Sequence, residues 1–326
     1  MANEVEKYNA LALADIEKIN GFTDDDIEKL NGLEFAGISG FAVFYGGSGA
    51  SNVSNQVSNV GVVASDSAGV GTGRSGITGT EYGGDKGIFC YGSSVGPIVS
   101  TRNLVDGNGV IATDATGAGT TRHSAPAAGY STDKGIVFGG ETGAGKVGAT
   151  NLITNAGVVG TDVTAVGGPK SGHGGTEYGG DKAIFAYGRD NSGITDTKNL
   201  VSNSGVVASD AAGGGTARTF ASACTYGSGQ STAIFVTGES NSGNTSVSNL
   251  VNSSGVIASD TTAVATANAY CAEMEYGGDK GIFAYGYSGG NVNRSNLISN
   301  SGVVGSDVTG VGTARHQPSG CGTGQS

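Results

Sequence analysis

Little in this chain of 326 residues is suited to covalent chemistry. It has three histidines, His123, His173 and His316, well separated from one another, and no stretch gathers His, Cys, Asp and Glu beyond the rest, so no single constellation stands out as an active site. The four cysteines, Cys90, Cys224, Cys271 and Cys321, lack metal-ligand spacing and read as packed thiols made in a reducing compartment. The sequence therefore predicts no metal and no cofactor. Tryptophan is absent, and 17 basic residues stand against 28 acidic ones, a net charge of −11. Such a balance offers no dense positive face for nucleic acid. Residues 1–7 lack the basic start and apolar core of a secretory signal. No apolar run approaches the roughly 20 residues of a membrane helix, so no membrane insertion is expected.

Glycine, by contrast, is everywhere, at 62 residues. A bias of that kind without a period would suggest disorder. Here there is a period. Asp66, Asp114, Asp162, Asp210, Asp260 and Asp307 each close the hexapeptide Gly-Val-(Val/Ile)-(Ala/Gly)-(Ser/Thr)-Asp, at steps of 48, 48, 48, 50 and 47 residues. Self-similarity on this scale marks a solenoid, a propeller or an array.

One copy can be laid out in full. Residues 122–130 read as a first strand, 131–133 as a tight turn, and 134–139 (KGIVFG) as a second strand that is apolar at its centre, as expected when both faces are covered. A loop of variable sequence follows. Residues 150–154 make a third strand, Asn155-Ala156-Gly157 a turn with Gly where positive φ is needed, and 158–162 a fourth. Apolar residues spaced by three and four are absent, which excludes a helical solenoid. Four antiparallel strands in about 48 residues is one propeller blade.

The order Arg-His-Ser-Ala (122–125), a small-residue stretch, then Ile-Val-Phe-Gly-Gly (136–140) resembles the kelch repeat, whose blades carry an Arg-containing first strand and a hydrophobic second strand ending in Gly-Gly. The resemblance covers residues 40–326 and lacks the Trp that kelch blades usually carry. It implies an all-β, six-bladed kelch-like β-propeller over residues 37–326. The ends support that count. Gly40 to Gly46 reads as a second strand with no first strand before it, and Gly312-Thr313-Ala314-Arg315-His316 matches residues 119–123, which lead into a first strand. The two ends should complete one blade between them, leaving no free sheet edge.

Residues 1–36 are different material, with nine acidic and three basic side chains. An 11-residue echo, DIEKINGF (15–22) then DIEKLNGL (26–33), suggests two short helices, started near Thr23 and stopped at Gly21 and Gly32. The first would align Val5, Tyr8, Ala12, Ile16 and Ile19 on one stripe suited to a partner. Such Asn-Gly-punctuated peptides ahead of Gly-, Asn- and Ser-rich repeats resemble virion structural proteins of tailed bacteriophages. That resemblance implies a tail- or capsid-associated particle component assembled in the host cytoplasm. It would be anchored to other virion proteins through residues 1–36, would sit in a homo-oligomeric assembly, and could contribute to host-surface attachment through a glycan. The competing reading is a glycan-binding propeller module at a cell surface. Neither carries enzymatic residues.

Two candidate binding features remain. Arg74, Arg122, Lys170, Arg218 and Arg315 each stand eight residues after a repeat Asp, with Asn268 the exception. In a propeller they should circle one mouth of the central channel, either binding an anion or pairing with Asp side chains between blades. The loops 92–100, 140–150, 188–198, 238–248 and 286–295 vary most and should emerge on the same face, where recognition is commonly placed. Two phosphate-loop imitations are declined. Residues 140–146 (GETGAGK) are followed by Val147 where a Ser or Thr would hold magnesium, and 71–76 (GTGRSG) has no helix to follow it.

Overall fold

A computed structural model describes residues 42–164, 166–262 and 264–322, and the backbone of short extended segments between residues 4 and 35. The chain separates into two units, Met1–Ser39 and Gly40–Ser326.

The helices expected in the leader are not supported. The described segments there are extended, and Ile19 pairs with Phe22 as Leu30 pairs with Leu33, both antiparallel. The dipeptide between the partners is Asn20-Gly21 in one case and Asn31-Gly32 in the other. Asn-Gly between alternating hydrophobics is the strongest short-range hairpin signal, and here it outweighs its helix-stop reading.

The second unit is all-β. Its helical content among the described residues is one 3₁₀ turn, Ser228–Gln230. Six antiparallel sheets follow one another along the chain. The second is Thr78–Tyr82, Lys86–Cys90 and Arg102–Val105. The third, Ala127–Tyr130, Lys134–Phe138 and Ala149–Ile153, gains a short outer strand at Val163–Thr164. The fourth is Gly174–Tyr178, Lys182–Ala186 and Lys198–Val201. The fifth is Ser222–Tyr226, Thr232–Val236, Val247–Val251 and Thr261–Thr262. The sixth is Ala272–Tyr276, Lys280–Ala284 and Ser295–Ile298. The first sheet is assembled from both ends of the unit: Ser319–Cys321 pairs antiparallel with Ala42–Tyr45, which pairs in turn with Ser54–Val57. The expected sharing of one sheet between the two ends is thus observed.

The fourth strand of each repeat departs from expectation. In place of a continuous 158–162 strand there is a lone bridge, Ile153 to Val159, and then renewed pairing of Val163–Thr164 with Ala149–Thr150. The break falls at the repeat Asp, whose carboxylate turns inward to accept hydrogen bonds. The turn Gly157 has φ of +71°, as its position demands.

Each second strand is buried along nearly its whole length, which accounts for its unbroken Ile/Phe/Val content. The core comprises six apolar clusters, each joining two sheets. Tyr82 and Tyr91 of the second sheet meet Ala127 and Ile153 of the third, and the same arrangement recurs between the third and fourth, fourth and fifth, and fifth and sixth. Val43, Tyr45 and Cys321 of the first meet Ile77, Phe89 and Val105 of the second. Phe44 and Val57 of the first also meet Met274, Ile282 and Tyr285 of the sixth.

Candidate functional site

The five cations predicted as binding residues lie inside the protein. Arg74, Arg122 and Arg218 are 0% exposed, Lys170 1% and Arg315 2%. Each is spent on a repeated set of partners. Arg122 donates from Nη2 to Asn151 Oδ1 and from Nη1 to Thr120 O, and its guanidinium lies 4.4 Å from the Tyr91 ring centre in the preceding sheet. Arg218 bonds Asn249 and stacks on Tyr187 at 3.9 Å, while Arg315 bonds Asn55 and stacks on Tyr285 at 3.8 Å. Arg74 bonds Asn103, Thr101 O and Tyr91 O. A planar fork suits this combination of acceptors and a ring face.

The repeat aspartates complete the set. Asp162 accepts from Asn151 Nδ2, from the Thr120 backbone N–H and from Thr120 Oγ1, with Arg122 3.5 Å away. Asp114 with Thr72, Asp260 with Thr216, Asp307 with Thr266 and Asp66 with Thr313 repeat the arrangement. Although partial burial opposes ionisation, these hydrogen bonds and the nearby Arg outweigh it and hold the carboxyls below their ordinary range. Asp210 differs because Gly168-Pro169-Lys170 replaces the Thr-x-Arg pattern, removing the Thr hydroxyl, and Lys170 Nζ reaches Asp210 directly at 2.5 Å. In the sixth sheet Asn268 is too short for the role, and Arg294 approaches Asp307 at 3.5 Å from another strand. Of the two readings offered for these residues, pairing within the seams between sheets is what the geometry displays.

Two residues beyond each of the five cations and beyond Asn268 the backbone takes a left-handed conformation: Gly76, Ser124, Gly172, Phe220, Tyr270 and Gln317 have φ between 51° and 61°. Their amides form a series of bonds from one copy to the next. Ser124 donates to Gly76, Gly172 to Ser124, Phe220 to Gly172, Tyr270 to Phe220 and Gln317 to Tyr270; Gly76 donates to Gln317. Glycine is the residue that adopts this conformation freely, so Phe220 and Tyr270 hold it at a cost of about 1–3 kcal/mol each.

The variable loops emerge at this same end, as expected. Ser75 bridges Ser93, His123 bridges Glu141, Ser171 bridges Arg189, Thr219 bridges Glu239 and Ala269 bridges Tyr287. Glu141–Thr142 and Gly145–Lys146 form a small hairpin, so the Gly-rich run there is a turn and opens no helix.

Toward the other end a cavity of about 320 Å³ is lined by Glu81, Glu177 and Glu275 together with Gly129, Gln230 and Gly322. Glutamate alternates with a smaller residue at this position around the six first strands. Burial pushes the Glu177 carboxyl up to about 8, with Glu81 and Glu275 adding repulsion; burial also raises Glu81, and burial with repulsion from Glu81 raises Glu275. Glu275 accepts from Thr225 Oγ1 and Gln230 Nε2. Glu273, two residues earlier, is raised to about 8 by burial. Sequence reasoning missed this set because each Glu sits inside an unremarkable Thr-Glu-Tyr or Met-Glu-Tyr; only the repeat register places them together.

His123 and His316 hold equivalent positions but differ in surroundings, His316 lying against Asn291 Oδ1 at 2.7 Å. His173 is buried between Phe138 and Phe185, and burial lowers it to about 3. All four cysteines are free and buried, and burial raises their thiols. Among the described residues no group of three or more His, Cys, Asp or Glu is placed to hold a metal ion. No protein-family model matches the chain, and no curated protein matches it.

Proposed function

We propose that residues 40–326 form a six-bladed, kelch-like propeller closed by the segment 312–322, and that the protein is a non-enzymatic structural component of a tailed-phage particle. The single observation that best supports the ring is the series of amide bonds at the left-handed residues, which returns from Gln317 to its starting copy at Gly76. The apolar cluster between the sixth and first sheets supports it independently. A propeller of this kind is a rigid display platform, because its repeated Arg, Asn, Asp and Thr side chains are consumed in the seams.

The particle assignment is supported by the acidic leader with its echo of DIEK(I/L)NG, set ahead of Gly-, Asn- and Ser-rich repeats. In this reading the leader joins the propeller to a neighbouring virion subunit and the loop-bearing end faces outward. Mass spectrometry of purified particles, with and without residues 1–36 encoded, tests it. Stoichiometric presence that is lost with the leader is expected. Absence from particles, or equal incorporation without the leader, contradicts the assignment.

A further inference from the structure

On the loop-bearing end the sixfold pattern also breaks at the left-handed positions. Of the six left-handed positions, two carry aromatic side chains, and these are neighbours: Phe220 and Tyr270 stack at 3.9 Å with an interplanar angle of 27°. His316 stands edge-on to Tyr270 at 5.9 Å and edge-on to Tyr287 at 5.8 Å, so the series continues across the sixth and first sheets. Tyr287 is 41% exposed, and the residues bridged to the other first strands at its position are Ser93, Glu141, Arg189 and Glu239. The other four left-handed positions hold Gly76, Ser124, Gly172 and Gln317, so the repeat forms without aromatic rings here. Two adjacent aromatic rings that the other four copies do without mark a position open to a role beyond the scaffold.

We propose that Phe220, Tyr270, His316 and Tyr287 form a platform for a neutral glycan, a pyranose ring lying on the exposed aromatic surface. Polar groups suited to sugar hydroxyls border it. Glu239 accepts from Tyr270 OH at 2.9 Å and keeps a second carboxylate oxygen as an acceptor. Asn291 faces His316 through Oδ1 and presents an amide N–H₂ that donates to Ser48 Oγ at 3.2 Å. Asn244 fixes the Tyr287 backbone by donating to its carbonyl at 2.6 Å, which joins the two loops that carry the platform. Apolar faces ringed by amide and carboxylate groups match the alternation of C–H faces and equatorial hydroxyls on a sugar. Charge decides against acidic glycans. Glu239 lies at the platform and the protein carries −11, while the exposed Arg189 stands on the loop bridged to Ser171, outside the aromatic series.

The inference is independent of the particle assignment, since incorporation without glycan binding would leave that assignment standing. The test uses the full chain on an array of neutral glycans terminating in glucose, galactose, mannose or N-acetylhexosamines, beside sialylated and uronate-containing ones. Binding confined to neutral structures is expected, falling at least tenfold in Tyr287→Ala and in Asn291→Ala while both variants melt with the parent. Tyr287→Phe should retain most of the binding, because the ring face is kept. Failure to bind any neutral glycan, preference for acidic glycans, or binding unaffected by Tyr287→Ala would each overturn the proposal.

Discussion

Replacing Arg122 by Met tests whether the buried cations hold the seams between sheets. Methionine preserves much of the aliphatic stem and removes the guanidinium, which is completely buried. Three losses follow. Asn151 Oδ1 is left without its donor inside the protein, a cost of about 1–3 kcal/mol. The contact with the Tyr91 ring is lost, about 0.5–2 kcal/mol. The attraction to Asp162 contributes less, under about 1 kcal/mol, because that carboxylate is 32% exposed and keeps its bonds to Asn151 and Thr120. Together these give a destabilisation of about 1.5–6 kcal/mol. Arg122→Ala should cost more, since it also opens a cavity. Urea denaturation followed by circular dichroism reads this as a lower midpoint at an unchanged slope. A midpoint for Arg122→Met indistinguishable from the parent would refute the seam argument, and loss of ligand binding with unchanged stability would return these cations to a recognition role.

Stability should depend on pH with a definite sign. An acid whose folded pKa is raised favours the native state below its unfolded pKa and loses that contribution as pH climbs through the folded value; Glu177 and Glu273, each raised to about 8, should therefore lower the melting temperature steadily between pH 5 and 9, and Glu177→Gln should flatten the fall. The repeat aspartates, held below 3.8, have the opposite sign and should cost stability only below about pH 4. His173 occupies the position where the second sheet has Ile77, and His173→Ile should raise the melting temperature, most at pH 5, where the neutral form must otherwise be maintained against protonation. Thr120→Val removes the hydroxyl donor to Asp162 and should cost about 0.5–1.5 kcal/mol in urea denaturation.

Much of this fold was legible in the sequence because it is written six times. Strand runs such as KGIVFG and KAIFAY carry their burial in their composition, and the unmatched ends, Gly40 to Gly46 against Gly312 to His316, disclosed the sheet they share. The seam partners were half legible. Spacing identified the cations and aspartates, but the Asn that binds each of them lies 29 residues beyond Arg122 in a third strand, where a single Asn in a Ser- and Thr-rich stretch gives no signal. The leader was misread because Asn-Gly serves both as a helix stop and as a hairpin turn, and isolated 11-residue copies contain nothing to choose between them. Phe220, Tyr270 and Tyr287 were invisible as a group, since aromatics are ordinary in β-strands and only the left-handed backbone and the register of neighbouring sheets bring them together. The alternating glutamates were hidden likewise, each needing two further copies of the repeat for its meaning.

The most direct test of the closed ring is calorimetric unfolding of the chain shortened to residue 311. That removes Arg315, Thr313 and the Ser319–Cys321 strand, and so the pairing with Ala42–Tyr45, the bond from Gly76 to Gln317 and the hold on Asp66. The intact protein should unfold in a cooperative transition. The shortened one should lose that transition, and a synthetic peptide spanning residues 312–326 should restore it. A shortened chain that melts like the intact protein would contradict closure.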